Sequence, residues 1–302
     1  MPLYFPVRES SLRAWGFGAL DDNMKKESRK MKIYHCLADD GRRYYGQLHK
    51  EDQGLLEVWE GNLFAPWTPT ETVVKINKLL PPLLLPPNIF ALGLSYRRHA
   101  DETGIEVIPE PLVFMKAATS VIGPEDTILL PVAGPEKVDY EGELAVVIGR
   151  RGKNIPLPEA MDYVLGYTCA NDVSARDWQF ERQQGQWVRG KSFDSFCPLG
   201  PCLVTRDELP DPNKLAVRTV LNGQIVQDAS TNGMIYDIAT IVSNLSKSLT
   251  LLPGTVILTG TPEGVGFTRV PPLFLRDGDR ISVTIEGIGT LANPVRAERI
   301  DA

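Results

Sequence analysis

The chain has 302 residues, 43% of them hydrophobic, and a formal net charge of -6 from 32 basic and 38 acidic side chains. That is an ordinary globular composition, and no basic cluster is present to track a phosphate backbone, which argues against nucleic-acid binding. The longest greasy stretch, residues 79–94, is cut by Pro81, Pro82, Pro86 and Pro87 and cannot span a membrane.

Residues 1–30 read as a poorly structured leader. Arg8 and Arg13 are offset by Glu9, Asp21 and Asp22, and no apolar core follows. This is neither a clear signal peptide nor a clear transit peptide, so a cytoplasmic location is expected. From Met31 to about residue 80, short strand patterns alternate with turns at Asp39-Asp40-Gly41 and Gly61-Asn62, which predicts a small β-rich N-terminal subdomain. The proline-rich segment 79–87 predicts an extended linker laid over the surface. A larger domain is expected over 88–302.

In that domain, 144–148 is unbroken apolar and β-branched, so it predicts a buried strand. Asn222-Gly223 between the apolar runs of 217–226 predicts a type I′ hairpin. One amphipathic helix is predicted over 234–249, with Ile235, Ile238, Ile241, Val242, Leu245 and Leu249 on one stripe and Pro253-Gly254 ending it. Residues 255–259, 280–286 and 289–293 read as strands. The class is mixed α/β, mostly β. No glycine-rich phosphate loop joins a strand to a helix, so a nucleotide fold is not supported. The four cysteines, Cys36, Cys169, Cys197 and Cys202, match neither a zinc module nor a disulfide framework, which predicts buried free thiols.

Glu141 and Glu143 open the buried strand. Residues i and i+2 of a strand share a face, so both carboxylates point one way from a segment entering the core. Two desolvated anions side by side need a proton, a basic side chain or a metal ion. Oxygen ligands suit a hard divalent ion, Mg²⁺ or Mn²⁺. Asp172 follows another apolar strand. Alone it reads as a cap before a helix start; with the glutamates it completes a three-carboxylate site. His99 and Glu102 have the i, i+3 spacing of one helical turn, and a carboxylate beside an imidazole suits a general base. Lys191 sits in a glycine-flanked aromatic loop, where it is either a solvated charge or a stabiliser of developing negative charge. Thr261 lies in a small-residue loop after a strand, read as a tight turn or as a binder of a substrate carboxylate.

These pieces occur in one order: Tyr96-x-x-His99-x-x-Glu102, Asp139-Tyr140-Glu141-x-Glu143-Leu144, Asn171-Asp172-x-Ser174-x-Arg176-Asp177, Gly190-Lys191-x-Phe193-Asp194, and Thr259-Gly260-Thr261-Pro262-x-Gly264-Val265-Gly266. Together they resemble the fumarylacetoacetate hydrolase family over about residues 88–300. The resemblance implies a mixed β-sandwich roll, usually a homodimer, with Mg²⁺ or Mn²⁺ on Glu141, Glu143 and Asp172. It implies catalytic roles for His99, Glu102 and Lys191, and places Arg176, Gln179 and Thr261 at the substrate. The larger members have a further carboxylate ligand seven residues before the histidine, where this chain has Leu92. The chain is therefore more similar to the shorter members, which act on acylpyruvates and related 2-oxo acids. The expected activity is metal-dependent hydrolysis of a C–C bond in an acylpyruvate-like 1,3-diketo acid through a metal-bound enolate. The alternative is isomerisation or decarboxylation of a 2-oxo acid, as in homoprotocatechuate breakdown or with oxaloacetate. A structural ion or plain salt bridges in a small-molecule binding protein is the non-enzymatic alternative.

Overall fold

The computed structural model describes residues 30–299 except Ala65, Ile105 and Val107. The predicted leader, Lys30 apart, lies outside the described residues. In chain order the first strands are β1 (Lys32–Ala38), β2 (Arg43–Leu48), β3 (Leu55–Gly61), β4 (Trp67–Leu80) and β5 (Ile89–Gly93). Helix α1 (Arg97–Thr103) follows, then β6 (Leu112–Lys116), β7 (Val121–Ile122), β8 (Ile128–Leu130), β9 (Val138–Asp139), β10 (Gly142–Ile148), β11 (Val164–Asn171) and β12 (Ser174–Ala175). The remainder is α2 (Val188–Lys191), β13 (Cys197–Thr205), β14 (Ala216–Leu221), β15 (Gln224–Ser230), α3 (Ile238–Ser248), β16 (Val256–Leu258), β17 (Arg280–Ile285) and β18 (Gly289–Ala297).

The architecture is mostly β. An eleven-stranded sheet runs β2-β3-β4-β1-β13-β11-β10-β16-β5-β6 with β7 beside β13, and a five-stranded sheet runs β15-β14-β17-β18-β8. The central strand β10 is buried on both faces, and its side chains alternate between two cores. Leu144, Val146 and Ile148 join Val217, Val283, Ile285 and Leu291 of the second sheet and Ile241 and Leu245 of α3. Ala145 and Val147 face the other way, toward Phe114, Leu199, Leu203 and Leu258. Each fully buried aliphatic side chain of this kind contributes about 1.5–3 kcal/mol.

Several expectations are corrected. The segment 79–87 is not a surface linker. Leu79 and Leu80 end β4, while Pro81, Pro82, Leu83 and Pro86 are buried. The carbonyls of Pro81 and Pro82 bond His35 Nδ1 at 2.8 Å and Tyr45 Oη at 3.1 Å, which ties the segment to the N-terminal strands. Strand β1 pairs with β4 on one side and β13 on the other, so the N-terminal strands continue the central sheet. The hairpin forms as predicted, with Asn222 and Gly223 at φ of 50° and 81°. All four cysteines are free and buried.

The amphipathic helix starts four residues later than predicted. Met234 instead bridges Tyr96, and the Ile235 N–H donates to the Ser95 carbonyl at 2.7 Å, so this stretch is used to hold the start of α1. Asp237 caps α3 by accepting from the Thr240 N–H at 2.7 Å. Asp237→Ala should cost about 1 kcal/mol of stability, read by urea titration; an unchanged midpoint would mean the cap contributes nothing.

Candidate functional site

Strand register builds the acidic cluster. Strands β10 and β11 are antiparallel, with Gly142 opposite Asn171 and Glu143 opposite Ala170. One step outward, Glu141 meets Asp172, whose N–H donates to the Glu141 carbonyl at 2.8 Å. Glu141 thus lies just before the strand rather than on it. Glu143 shares the parity of Ala145 and Val147, so its carboxylate emerges on the same side. Between the two glutamates only glycine fits, because a Cβ on Gly142 would stand 2.1 Å from Thr219 Oγ1 of the second sheet. Glu141, Glu143 and Asp172 are all buried and offer carboxylate oxygens within 4.8 Å of one another.

Three buried cations face the cluster. Lys191 Nζ donates to Glu141 Oε2 and Asp172 Oδ2, both at 2.7 Å. Arg176 Nη2 lies 2.8 Å from Glu141 Oε1. Lys116 Nζ is bonded to Asp172 Oδ1. Burial alone would lower the Lys191 pKa, but Asp172 and Glu141 outweigh it and hold the ammonium above its usual value. Burial pushes the Glu141 carboxyl up, but Lys191 and Arg176 prevail and hold it below the usual range. Glu143 is the exception: burial, Asp172 and Glu141 push its carboxyl well up. Its Oε2 accepts the Gly260 N–H at 2.6 Å, while Oε1 is buried without a partner.

A divalent cation fits this donor set. With Asp139, the site holds four carboxyl groups against three cations, so one carboxyl has no cationic partner. The orphaned oxygen of Glu143 identifies it. Three carboxylate oxygens with no nitrogen or sulfur donor suit a hard ion such as Mg²⁺ or Mn²⁺. Binding it would turn the local balance positive, which favours an anionic substrate.

The predicted histidine–glutamate pair is formed on α1. His99 Nδ1 lies 3.3 Å from Glu102 Oε2. Glu102 also accepts from the Gly264 N–H and from Thr268 Oγ1 at 2.8 Å. Burial would raise its pKa, but the bonds from His99, Thr268 and Gly264 bring it below the ordinary value. His99, Glu141, Arg176, Gln179, Lys191 and Thr261 line one cleft. Glu143 and Asp172 form the buried side of the cluster.

Three local expectations change. Asp172 precedes the short strand β12, not a helix. Lys191 ends the one-turn helix α2 rather than sitting in a loop. The Thr261 hydroxyl is already engaged, donating to the Gly142 carbonyl at 3.1 Å and accepting from Gln227 Nε2 at 2.8 Å. It therefore fixes the loop against the glutamate strand.

Sequence reasoning missed Lys116, Asp139 and Gln227. Lys116 carried a signal: it shares the inward parity of Phe114 on β6, an odd place for a lone lysine. Asp139 is fully buried and accepts five hydrogen bonds, from the N–H groups of Tyr140, Gly266 and Phe267 and from Arg176 Nε and Nη2. It pins the guanidinium that touches Glu141. Gln227 Oε1 accepts the Gly142 N–H at 2.9 Å.

Residues 88–296 match the family model described as fumarylacetoacetate (FAA) hydrolase C-terminal. The chain belongs to this family. An oxaloacetate tautomerase of Xenopus laevis, named mitochondrial, is 48% identical over 217 residues, spanning 72% of this chain and 68% of the relative. A human oxaloacetate tautomerase, also named mitochondrial, is 46% identical over 216 residues with the same shares. A 5-carboxymethyl-2-hydroxymuconate delta-isomerase from Mycobacterium smegmatis superposes with a TM-score of 0.76 at 39% identity, covering 89% of this chain and all of that one. The family and its fold are therefore as the motifs implied, and the chain is an enzyme of this superfamily. The mitochondrial names of the relatives overturn the cytoplasmic expectation. The relatives' names also favour the isomerase-type alternative over C–C hydrolysis as the leading activity.

Proposed function

We propose that this chain is a divalent-cation-dependent tautomerase of small 2-oxo acids of the oxaloacetate type. The supporting observation is that His99, paired with Glu102, lines one cleft with Glu141 and Lys191 of the acidic cluster. Keto–enol exchange needs a base at C3 and positive charge at the C2 oxygen, and His99 and Lys191 of the cleft lining are the side chains suited to those roles. The names of the tautomerase and isomerase relatives point the same way.

A divalent ion on Glu141, Glu143 and Asp172 would supply Lewis-acid polarisation of the 2-oxo group. His99 commits Nδ1 to Glu102, so Nε2 is the nitrogen that takes the C3 proton. Lys191, kept charged by its buried partners, offsets the negative charge that grows on the C2 oxygen. Arg176 Nη1 donates to Gln179 Oε1 at 2.8 Å, which leaves the Gln179 amide N–H groups for the substrate. The proton taken from carbon is returned to oxygen, so the exchange balances without water. The same dyad could instead activate a water, which keeps acylpyruvate hydrolysis as a second reading.

The test follows the decay of enol oxaloacetate by ultraviolet absorbance. We expect acceleration by the protein with Mg²⁺ or Mn²⁺, loss with EDTA, and a drop of about 10²–10⁴-fold for His99→Ala. Cleavage of acetylpyruvate with oxaloacetate enol decaying at the background rate would replace this reading with the hydrolytic one.

A further inference from the structure

Glu141, Arg176, Gln179 and Lys191 line the cleft together with Phe114, Phe180, Trp187 and Phe267. Phe114 and Phe267 pack against the Lys191 and Arg176 side chains, and Trp187 and Phe180 lie beyond them. Both cations of the lining are already ion-paired. On the reading above, a chain extending from a 2-oxo acid head bound beside Lys191 meets Trp187 and Phe180.

Trp187 is the fixed point of that lining. A Cβ on Gly93 would stand 2.5 and 2.8 Å from Cζ3 and Cη2 of the indole, so the ring rests directly on the backbone of β5. It meets Phe114 edge to face at 5.3 Å and Phe180 at 6.4 Å. Its carbonyl accepts the Lys191 N–H at 3.1 Å, so wall and lysine belong to one helical turn. Phe114 in turn lies 5.0 Å from Lys191 Nζ. The indole therefore stands at a set distance from the ammonium, braced from behind by a strand. Such a wall cannot retreat without losing its packing.

We propose that Trp187, seated on Gly93, sets the length limit of the substrate, admitting short 2-oxo acids and excluding those with long distal chains. This rests on the enolisation reading above. An apolar pocket separates substrates differing by one methylene by roughly tenfold or more, which gives the size of effect to seek.

The experiment measures proton–deuterium exchange at C3 by NMR, in Mn²⁺-free Mg²⁺ buffer, for oxaloacetate, 2-oxobutanoate and 2-oxooctanoate. Wild-type kcat/KM should fall steeply from 2-oxobutanoate to 2-oxooctanoate. Trp187→Ala should raise the long-to-short ratio at least about tenfold. Gly93→Ala, which drives the indole into the cleft, should lower it. Trp187→Phe should move it the same way as Trp187→Ala by a smaller factor, which keeps the test open if the alanine variant does not fold. A ratio unchanged in all variants, with wild type active, overturns the length limit alone. A wild type that exchanges none of the three overturns the enolisation reading and the length limit with it.

Discussion

Lys191→Met should lower kcat about 10²–10³-fold and destabilise the cation-free protein by about 3–5 kcal/mol. Lys191 is 1% exposed and bridges Glu141 to Asp172 at 2.7 Å on each side. Methionine fills much of the same volume but carries no charge. Two buried carboxylates are then left facing each other with half of their compensation gone. Arg176 still neutralises Glu141, and Lys116 still neutralises Asp172, so folding survives. The two losses separate on adding Mn²⁺. The cation replaces lysine as the electrostatic partner, so melting temperature should recover more in the variant than it rises in the wild type. Activity should not recover, because the ammonium proposed to face the substrate oxygen is gone. A variant with a wild-type melting curve in EDTA, or wild-type turnover, would contradict the bridging role.

Glu143→Gln should abolish most of the cation-induced stabilisation while barely altering the cation-free protein. Burial and the neighbouring Asp172 and Glu141 push the Glu143 carboxyl well up, which favours its protonated form when no cation is bound. Glutamine is nearly the same shape as that protonated acid and can still accept the Gly260 N–H. The sign of the pH effect follows. A carboxyl whose pKa is raised on folding contributes stability that is full below its unfolded pKa and is lost as pH rises through the folded value. The cation-free wild type should therefore weaken as pH rises through that raised pKa, and Glu143→Gln should not. With a cation at roughly 100 times its Kd, the wild type should gain about 2.7 kcal/mol. The variant lacks the charged oxygen and should gain little. Calorimetric scans with EDTA and with Mn²⁺ across pH decide it; equal cation shifts in both proteins would remove Glu143 from the ion's donors.

The acidic cluster was legible because it depends on short-range rules. Parity put Glu141 and Glu143 on one side, and the i, i+3 spacing put His99 beside Glu102. Asp172 needed only the register of β10 with β11. The parts that stayed hidden depend on distant pairings. Asp139 is buried because Gly266 and Phe267 turn their N–H groups onto it from far along the chain. Gln227 matters because the second sheet packs where Gly142 leaves room. Strand β4 was obscured by Pro69 at its start and by a register shift opposite Glu57 and Trp59, which broke the alternation. The proline segment looked exposed because prolines usually are. Here its carbonyls find donors on β1 and β2, and that satisfies a buried backbone.

The segment after Thr261 is held by acids rather than by a sheet. Gly264 donates to Glu102, while Gly266 and Phe267 donate to Asp139. The carboxylate that bonds the His99 imidazole is thus also a latch on this loop. Because Glu102 titrates below its ordinary range, the latch holds at neutral pH and slackens as acid protonates it. Releasing the loop and freeing His99 from its carboxylate partner are therefore one event, so under the proposed mechanism substrate access and proton abstraction would share a single mechanical control.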